Sequence, residues 1–147
     1  MSETVTVRLV QDQDFRFAIH FSESMPVLIG DEPPPLGGGA GPSPSQLLAA
    51  AVGNCLSDSL LFALRKFKQR PEPIETAVTA IVGRNGENRL RVQIINVKLT
   101  LGLPSTRFEH LDRVLSQFEE FCTVSQSVRQ GIPIEVEVYD SLGTRLK

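Results

Sequence analysis

Between Ser43 and Lys68 the chain carries a segment that leaves few choices of fold. Ser43 has the side chain of a helix cap, Pro44 suits the first helical position, and Gln46 completes a Ser-x-x-Gln capping box. A helix starting there continues through Leu47, Leu48, Val52, Leu56, Leu60 and Leu64 to about Lys68, where Arg70-Pro71 disfavours further helix. At ~1.5 Å per residue it spans about 35 to 38 Å. Apolar residues cover nearly every side of its first four turns, more than one small sheet can bury. The expectation is a long buried central helix, wrapped by other elements or by a second subunit.

The elements around it follow from period and punctuation. Val5, Val7 and Leu9, then Phe15, Phe17, Ile19 and Phe21, alternate as two half-buried strands with a hairpin around Gln11 to Asp14. A short strand, Met25 to Ile29, leads into Asp31 to Gly41, whose three prolines and four glycines make it a loop. Beyond the helix, Ile74 to Val82 and Leu90 to Leu101 read as strands around Asn85-Gly86, a strong hairpin signal. Thr106 and Glu109 have capping-box spacing, and Phe108, Leu111, Val114, Leu115 and Phe118 recur at helical intervals to about Phe121. Thr123 to Gln130 reads as a short helix ended by Gly131, and Ile134, Val136 and Val138 as a final strand. The sum is an α+β chain read as a single domain over residues 1–147.

Several function classes recede at this level. Fifteen basic residues against seventeen acidic ones, a formal charge of −2, give no electrostatic footprint for nucleic acid. The longest uninterrupted apolar run, Leu47 to Val52, falls short of the ~20 residues of a membrane span. Met1 to Val10 lacks the basic patch and apolar run of a secretory signal, so the expected location is cytoplasmic. With two cysteines and only His20 and His110 besides, no metal-ligand spacing is visible.

The cysteines are what remains. Cys55 lies about three turns inside the long helix, among Asn54, Ser57, Asp58 and Ser59, a polar patch that must meet a polar cavity or another chain. Cys122 lies at the junction of two expected helices, where free N–H groups favour the thiolate. Mid-helix, Cys55 gains little of that help, so its reactivity requires a cation. A buried structural role remains open for either thiol. Their separation of 67 residues neither forbids nor requires a bond.

Gly37-Gly38-Gly39-Ala40-Gly41-Pro42-Ser43-Pro44, followed by Leu47-Leu48-Ala49-Ala50-Ala51-Val52-Gly53-Asn54-Cys55-Leu56, resembles the glycine loop, helix start and first cysteine of the OsmC/organic hydroperoxide resistance family. Cys122-Thr123-Val124-Ser125 through Arg129, then Ile132-Pro133-Ile134-Glu135-Val136, resembles its second cysteine, short helix and closing strand. The resemblance implies an intertwined α+β homodimer, with two long central helices packed together, sheets outside and active sites at the subunit interface. It implies that Cys55 attacks a small organic hydroperoxide and that Cys122 resolves the sulfenic acid as a disulfide, which an external dithiol or lipoyl-type reductant then reduces. No metal or organic cofactor, no nucleic acid and no membrane are implied.

Two departures from the family pattern bear on that implication. The family often has a glutamate ten residues before the first cysteine, paired with an arginine that activates the thiolate; here that position is Ser45. The partner arginine comes from the N-terminal strands, which makes Arg16 the candidate. Asp58, one turn beyond Cys55, helps only by orienting an arginine, since its bare charge disfavours the thiolate. Arg129 matches the pattern after Cys122. Leu48, Val52 and Phe62, on the Cys55 face, are the candidate substrate contacts. Two other readings stay open: an OsmC-like dimer of lost or altered activity that binds a small apolar ligand, and a structural dimer with incidental thiols.

Overall fold

β1 (Arg8–Gln13), β2 (Arg16–His20) and β3 (Leu28–Gly30) make an antiparallel sheet in that order, with Leu9 opposite Ile19 and Ala18 opposite Ile29. The computed structural model describes residues 2–132 and 134–147, so Pro133 of the expected closing strand lies outside the described residues, as does Met1. The first hairpin turns at Asp14, whose φ of 52° is left-handed, and β1 begins at Arg8 rather than near Val5.

The glycine- and proline-rich segment after β3 closes on a single buried carboxylate. Asp31 is 4% exposed and accepts the N–H groups of Glu32 at 2.8 Å, Gly38 at 3.2 Å and Ala40 at 3.1 Å. Its own N–H donates to the Pro42 carbonyl at 3.1 Å, so the loop returns to where it began. The return passes so close to β3 that a Cβ at Gly41 would lie 1.8 Å from the Ile29 carbonyl oxygen; only glycine fits.

α1 (Pro44–Lys66) starts with the expected capping box: Gln46 N–H donates to Ser43 Oγ at 3.2 Å and Ser43 N–H to Gln46 Oε1 at 2.9 Å. It ends two residues earlier than expected, where Lys68 adopts a left-handed φ of 59°. Val52, Leu56, Leu60 and Leu64 form one buried stripe, joined in the core by Val114, Phe118 and Cys122. The opposite face is open within one chain, with Phe62 69% exposed, so the expected burial of this helix is met on one side only. α1 is also long and apolar enough to cross a bilayer by length and composition, which counting uninterrupted apolar residues misses. Asn54, Ser57 and Asp58 interrupt it at mid-length, and its packed stripe belongs to its own chain's core.

Under α1 lies a long ribbon of β4 (Glu75–Arg84) and β5 (Leu90–Thr100), antiparallel with Val78 opposite Val97. Asn85 Oδ1 shapes its turn by accepting from the Glu87 and Arg89 N–H groups, both at 3.0 Å. Helix and ribbon touch closely: the Ser57 and Thr76 hydroxyls are 2.6 Å apart, and a Cβ at Gly53 would lie 2.4 Å from Val78 Cγ2.

Two sequence expectations give way here. The helix expected from Thr106 is broken into a 3₁₀ turn (Ser105–Arg107), α2 (Leu111–Gln117) and a second 3₁₀ turn (Phe118–Phe121). The cause lies forty residues away: Gln69 clamps Glu109 with both ends of its amide, accepting the Glu109 N–H at 2.7 Å and donating to the Glu109 carbonyl. His110 then takes a left-handed φ of 58°, and α2 starts only after it. α3 (Thr123–Gln130) has its expected bounds. The expected strand through Ile134, Val136 and Val138 is not formed; beyond α3, among the described residues, only an isolated bridge joins Tyr139 to Arg145. A strand needs a neighbour for its N–H and C=O groups, and among the described residues the single chain supplies one only at Val138, whose N–H donates to the Lys147 carbonyl at 3.2 Å and whose carbonyl accepts the Leu146 N–H at 2.7 Å.

Candidate functional site

α1 carries Cys55 past the N-terminal end of α3, and that crossing brings the two thiols together. The Phe118–Phe121 turn ends as Cys122 N–H donates to the Glu119 carbonyl at 3.1 Å, which leaves Cys122 as the N-cap of α3. Its Sγ accepts the Ser125 N–H at 3.4 Å. Both cysteines are free, and each thiol lies close enough to the other to shift its titration. Cys122 is wholly buried, whereas Cys55 is half-buried.

The pair divides its charge unequally. Burial pushes the Cys55 thiol up, and so do its hydrogen bond to Cys122 and the charges of Cys122 and Asp58; the Val124 N–H pulls the other way and loses. Burial pushes Cys122 up as well, but the Cys55 S–H, the Ser125 side chain and N–H, and the Ser59 hydroxyl outweigh it and hold Cys122 below the ordinary thiol range. Within one chain Cys122 is therefore the better thiolate. This is the electrostatic contrast expected from a helix N-terminus and a mid-helix position.

Cys55 opens onto a slot of about 450 Å³. Phe62, Phe67, Phe118 and Phe121 make its walls, Asp58 and Ser59 lie near the thiol, and Lys66 and Arg113 line it further along. Phe62 thus stands with Cys55. Leu48 and Val52 do not: they line a separate cavity of about 580 Å³ with Ile94, Ile95, Ser125 and Arg129. Arg129 also lies 3.7 Å from the Glu119 carboxylate on the surface. Arg16 is held by Asp12 Oδ2 at 2.7 Å and Gln13 Oε1 at 3.1 Å, beside a hollow lined by Asp31, Leu36 and Gly37, and is not among the residues lining the slot. Asp58 accepts from Asn54 Nδ2 at 3.0 Å and orients no arginine. Among the described residues no three His, Cys, Asp or Glu side chains gather as a metal site.

Sequence reasoning placed Ser59 in the polar patch around Cys55 and passed over Lys66, Arg113, Phe118 and Phe121 as site residues. Lys66 follows Cys55 and Ser59 on the same helical stripe, at eleven and seven residues, and could have been found that way. The other three depend on where α2 and the second 3₁₀ turn dock.

The family model described as OsmC-like protein matches residues 37–137, which include both cysteines and the elements that carry them. The chain belongs to the OsmC-like protein family. No curated protein matches it in sequence. Among solved structures, it is similar to an OsmC-like protein from Mycoplasma pneumoniae with a TM-score of 0.72 and 14% identity, over 90% of this chain and 91% of that one. An organic hydroperoxide resistance protein OsmC from Legionella pneumophila has a TM-score of 0.60 and 18% identity, over 86% and 90% of the two chains. For an organic hydroperoxide resistance protein from Elizabethkingia anophelis, the values are 0.64 and 16%, over 90% and 92%. At these identities the likeness is one of fold, and the fold is the mixed α+β arrangement of OsmC-like structures.

Proposed function

We propose that this OsmC-like protein is a homodimeric thiol peroxidase that reduces small organic hydroperoxides with an external dithiol or lipoyl-type reductant. The observation that carries the reading is the Cys55–Cys122 thiol contact on the wall of an apolar slot. Cys55, as thiolate, attacks the terminal oxygen of the hydroperoxide; an S–O bond forms, the O–O bond breaks, and the alcohol leaves with a proton. Cys122 then attacks the Cys55 sulfenic sulfur, expelling water and forming the disulfide, before further oxidation intervenes. Two electrons and two protons from the dithiol restore both thiols. No metal or organic cofactor takes part.

The homodimer is supported by the open face of α1 and by the exposed Ile134 and Val136, which lie in no strand. It also bears on activation. Cys55 is protonated more readily than an ordinary thiol in the single chain, so the reading assigns its activation to Arg16 delivered across the interface from a second copy. With serine at position 45, that arginine has no glutamate to hold it, and oxidation at neutral pH is slower than with the ion pair.

One observation favours a second reading. The thiol facing the slot keeps its proton, and a slot with four phenylalanines suits a small apolar ligand in a dimer that has lost or altered peroxidase activity. Stopped-flow oxidation of the reduced protein by an alkyl hydroperoxide and by hydrogen peroxide, with mass spectrometry of the products, separates the two. The peroxidase reading expects a Cys55–Cys122 disulfide and a faster reaction with the alkyl hydroperoxide; no peroxide consumption leaves the ligand-binding reading.

A further inference from the structure

The two sulfurs that would form the disulfide differ in access and in what surrounds them. Cys55 Sγ lines the slot, while Cys122 has no exposed surface and belongs to the core with Leu56, Leu60, Val114 and Phe118. A thiolate that cleaves a disulfide attacks one sulfur in line with the S–S bond and expels the other. From the slot only one of the two is reachable. Reaching Cys122 instead requires lifting the start of α3 off α1.

The buried side is equipped to receive a negative charge. The Ser125 N–H points at Cys122 Sγ from the first turn of α3, and Ser59, one turn after Cys55 on α1, lines the slot, its hydroxyl being among the groups that hold the Cys122 thiol below the ordinary range. Exchange is faster when the departing thiol is the more acidic one.

Resting on the peroxidase reading, we propose that the reducing dithiol attacks the disulfide at Cys55 and expels Cys122 as a thiolate, with Ser59 as the positioning residue for that leaving group. One reductant sulfur bonds to Cys55 Sγ, the Cys55–Cys122 bond breaks, and its electron pair stays on Cys122. The second reductant thiol then attacks the mixed disulfide, releasing Cys55 and leaving the reductant oxidised as its own disulfide.

The test needs no peroxidase step. The reduced protein is oxidised with diamide, then exposed briefly to excess glutathione, quenched with N-ethylmaleimide and mapped by peptide mass. Glutathione is expected on Cys55 and maleimide on Cys122, in large excess over the reverse. Glutathione on Cys122, or an even split, overturns the inference while leaving the peroxidase reading intact. If diamide forms no Cys55–Cys122 bond, both fall.

Ser59 is tested separately. Ser59→Ala should slow reduction of the disulfide by dithiothreitol about 3- to 10-fold, the loss of one hydrogen bond to a developing thiolate. It should also move the Cys122 thiolate titration, read by absorbance in a Cys55→Ser background, to higher pH, and Ser59→Thr should restore both. An unchanged rate and titration in Ser59→Ala remove the residue from the step.

Discussion

The segments on either side of α1 and α3 handle their polar backbone in opposite ways. Before α1, the stretch from Asp31 to Ser43 has almost no regular structure, yet Asp31 gathers three N–H groups and Ser43 caps the helix. After α3, the stretch from Ile134 to Glu137 has a strand's alternating pattern and no ladder; Ile134 is 83% exposed. The first segment is poor in propensity and complete in itself, and the second is rich in propensity and incomplete. What a segment can form locally is set less by its residues' preferences than by whether its own chain answers their hydrogen bonds.

The sharpest way to break this comparison is to deny the second segment a partner. If a second copy completes it, replacing Ile134 and Val136 together by aspartate should abolish association, and light scattering should fall from twice the chain mass to 16.2 kDa. A parent protein that already scatters as a monomer at micromolar concentration removes the dimer altogether. On the other side, Asp31→Ala strips the loop of its organising acceptor and should cost about 2 to 3 kcal/mol in urea denaturation. Ser43→Ala, which removes only the cap, should cost about 1 kcal/mol. If the two losses come out equal, the carboxylate is not what holds the loop.

The smallest effect belongs to an exposed pair that ties the end of α1 to the segment before β4. Arg65 Nη2 lies 2.6 Å from Glu72 Oε1, and this hydrogen bond holds the Glu72 carboxyl below its ordinary value. A carboxyl depressed in the folded state adds stability above its unfolded pKa and loses it as pH falls through the folded one. Glu72→Gln should therefore lower the melting temperature slightly and equally at pH 6 and pH 7, and flatten the decline of stability below about pH 4.5. The same acid-side slope in parent and variant removes the pair's contribution.

The legible parts of the fold share one property: their signals act within a few residues. The Ser43–Gln46 box, the Asn85 turn and the bounds of α3 depend on groups no more than about one turn apart, and the structure has all three. Thr106 and Glu109 had the same kind of signal, and Gln69, distant in sequence, took Glu109 for itself. Asp31 was read as part of an irregular loop, because composition reports that glycines prevent regular structure and not that their free amides converge on a carboxylate. The site divides in the same way. Two cysteines and a polar stripe are visible on a helix, but their contact is not written in a separation of 67 residues; it is made by the turn from Phe118 to Phe121. That turn also sets two walls of the slot, Phe118 and Phe121, and the helical period that includes Phe118 does not say that it faces a slot.

Gly53 sits where α1 rests on Val78, two residues from Cys55 and thirteen from Lys66. At ~1.5 Å per residue the thiol is about 3 Å from that contact and Lys66 about 20 Å. The distance between helix and ribbon is therefore set beside the thiol and far from the other end of the slot. A larger residue at position 53 would push α1 off Val78, and with it shift the gap between the two sulfurs on which the chemistry depends.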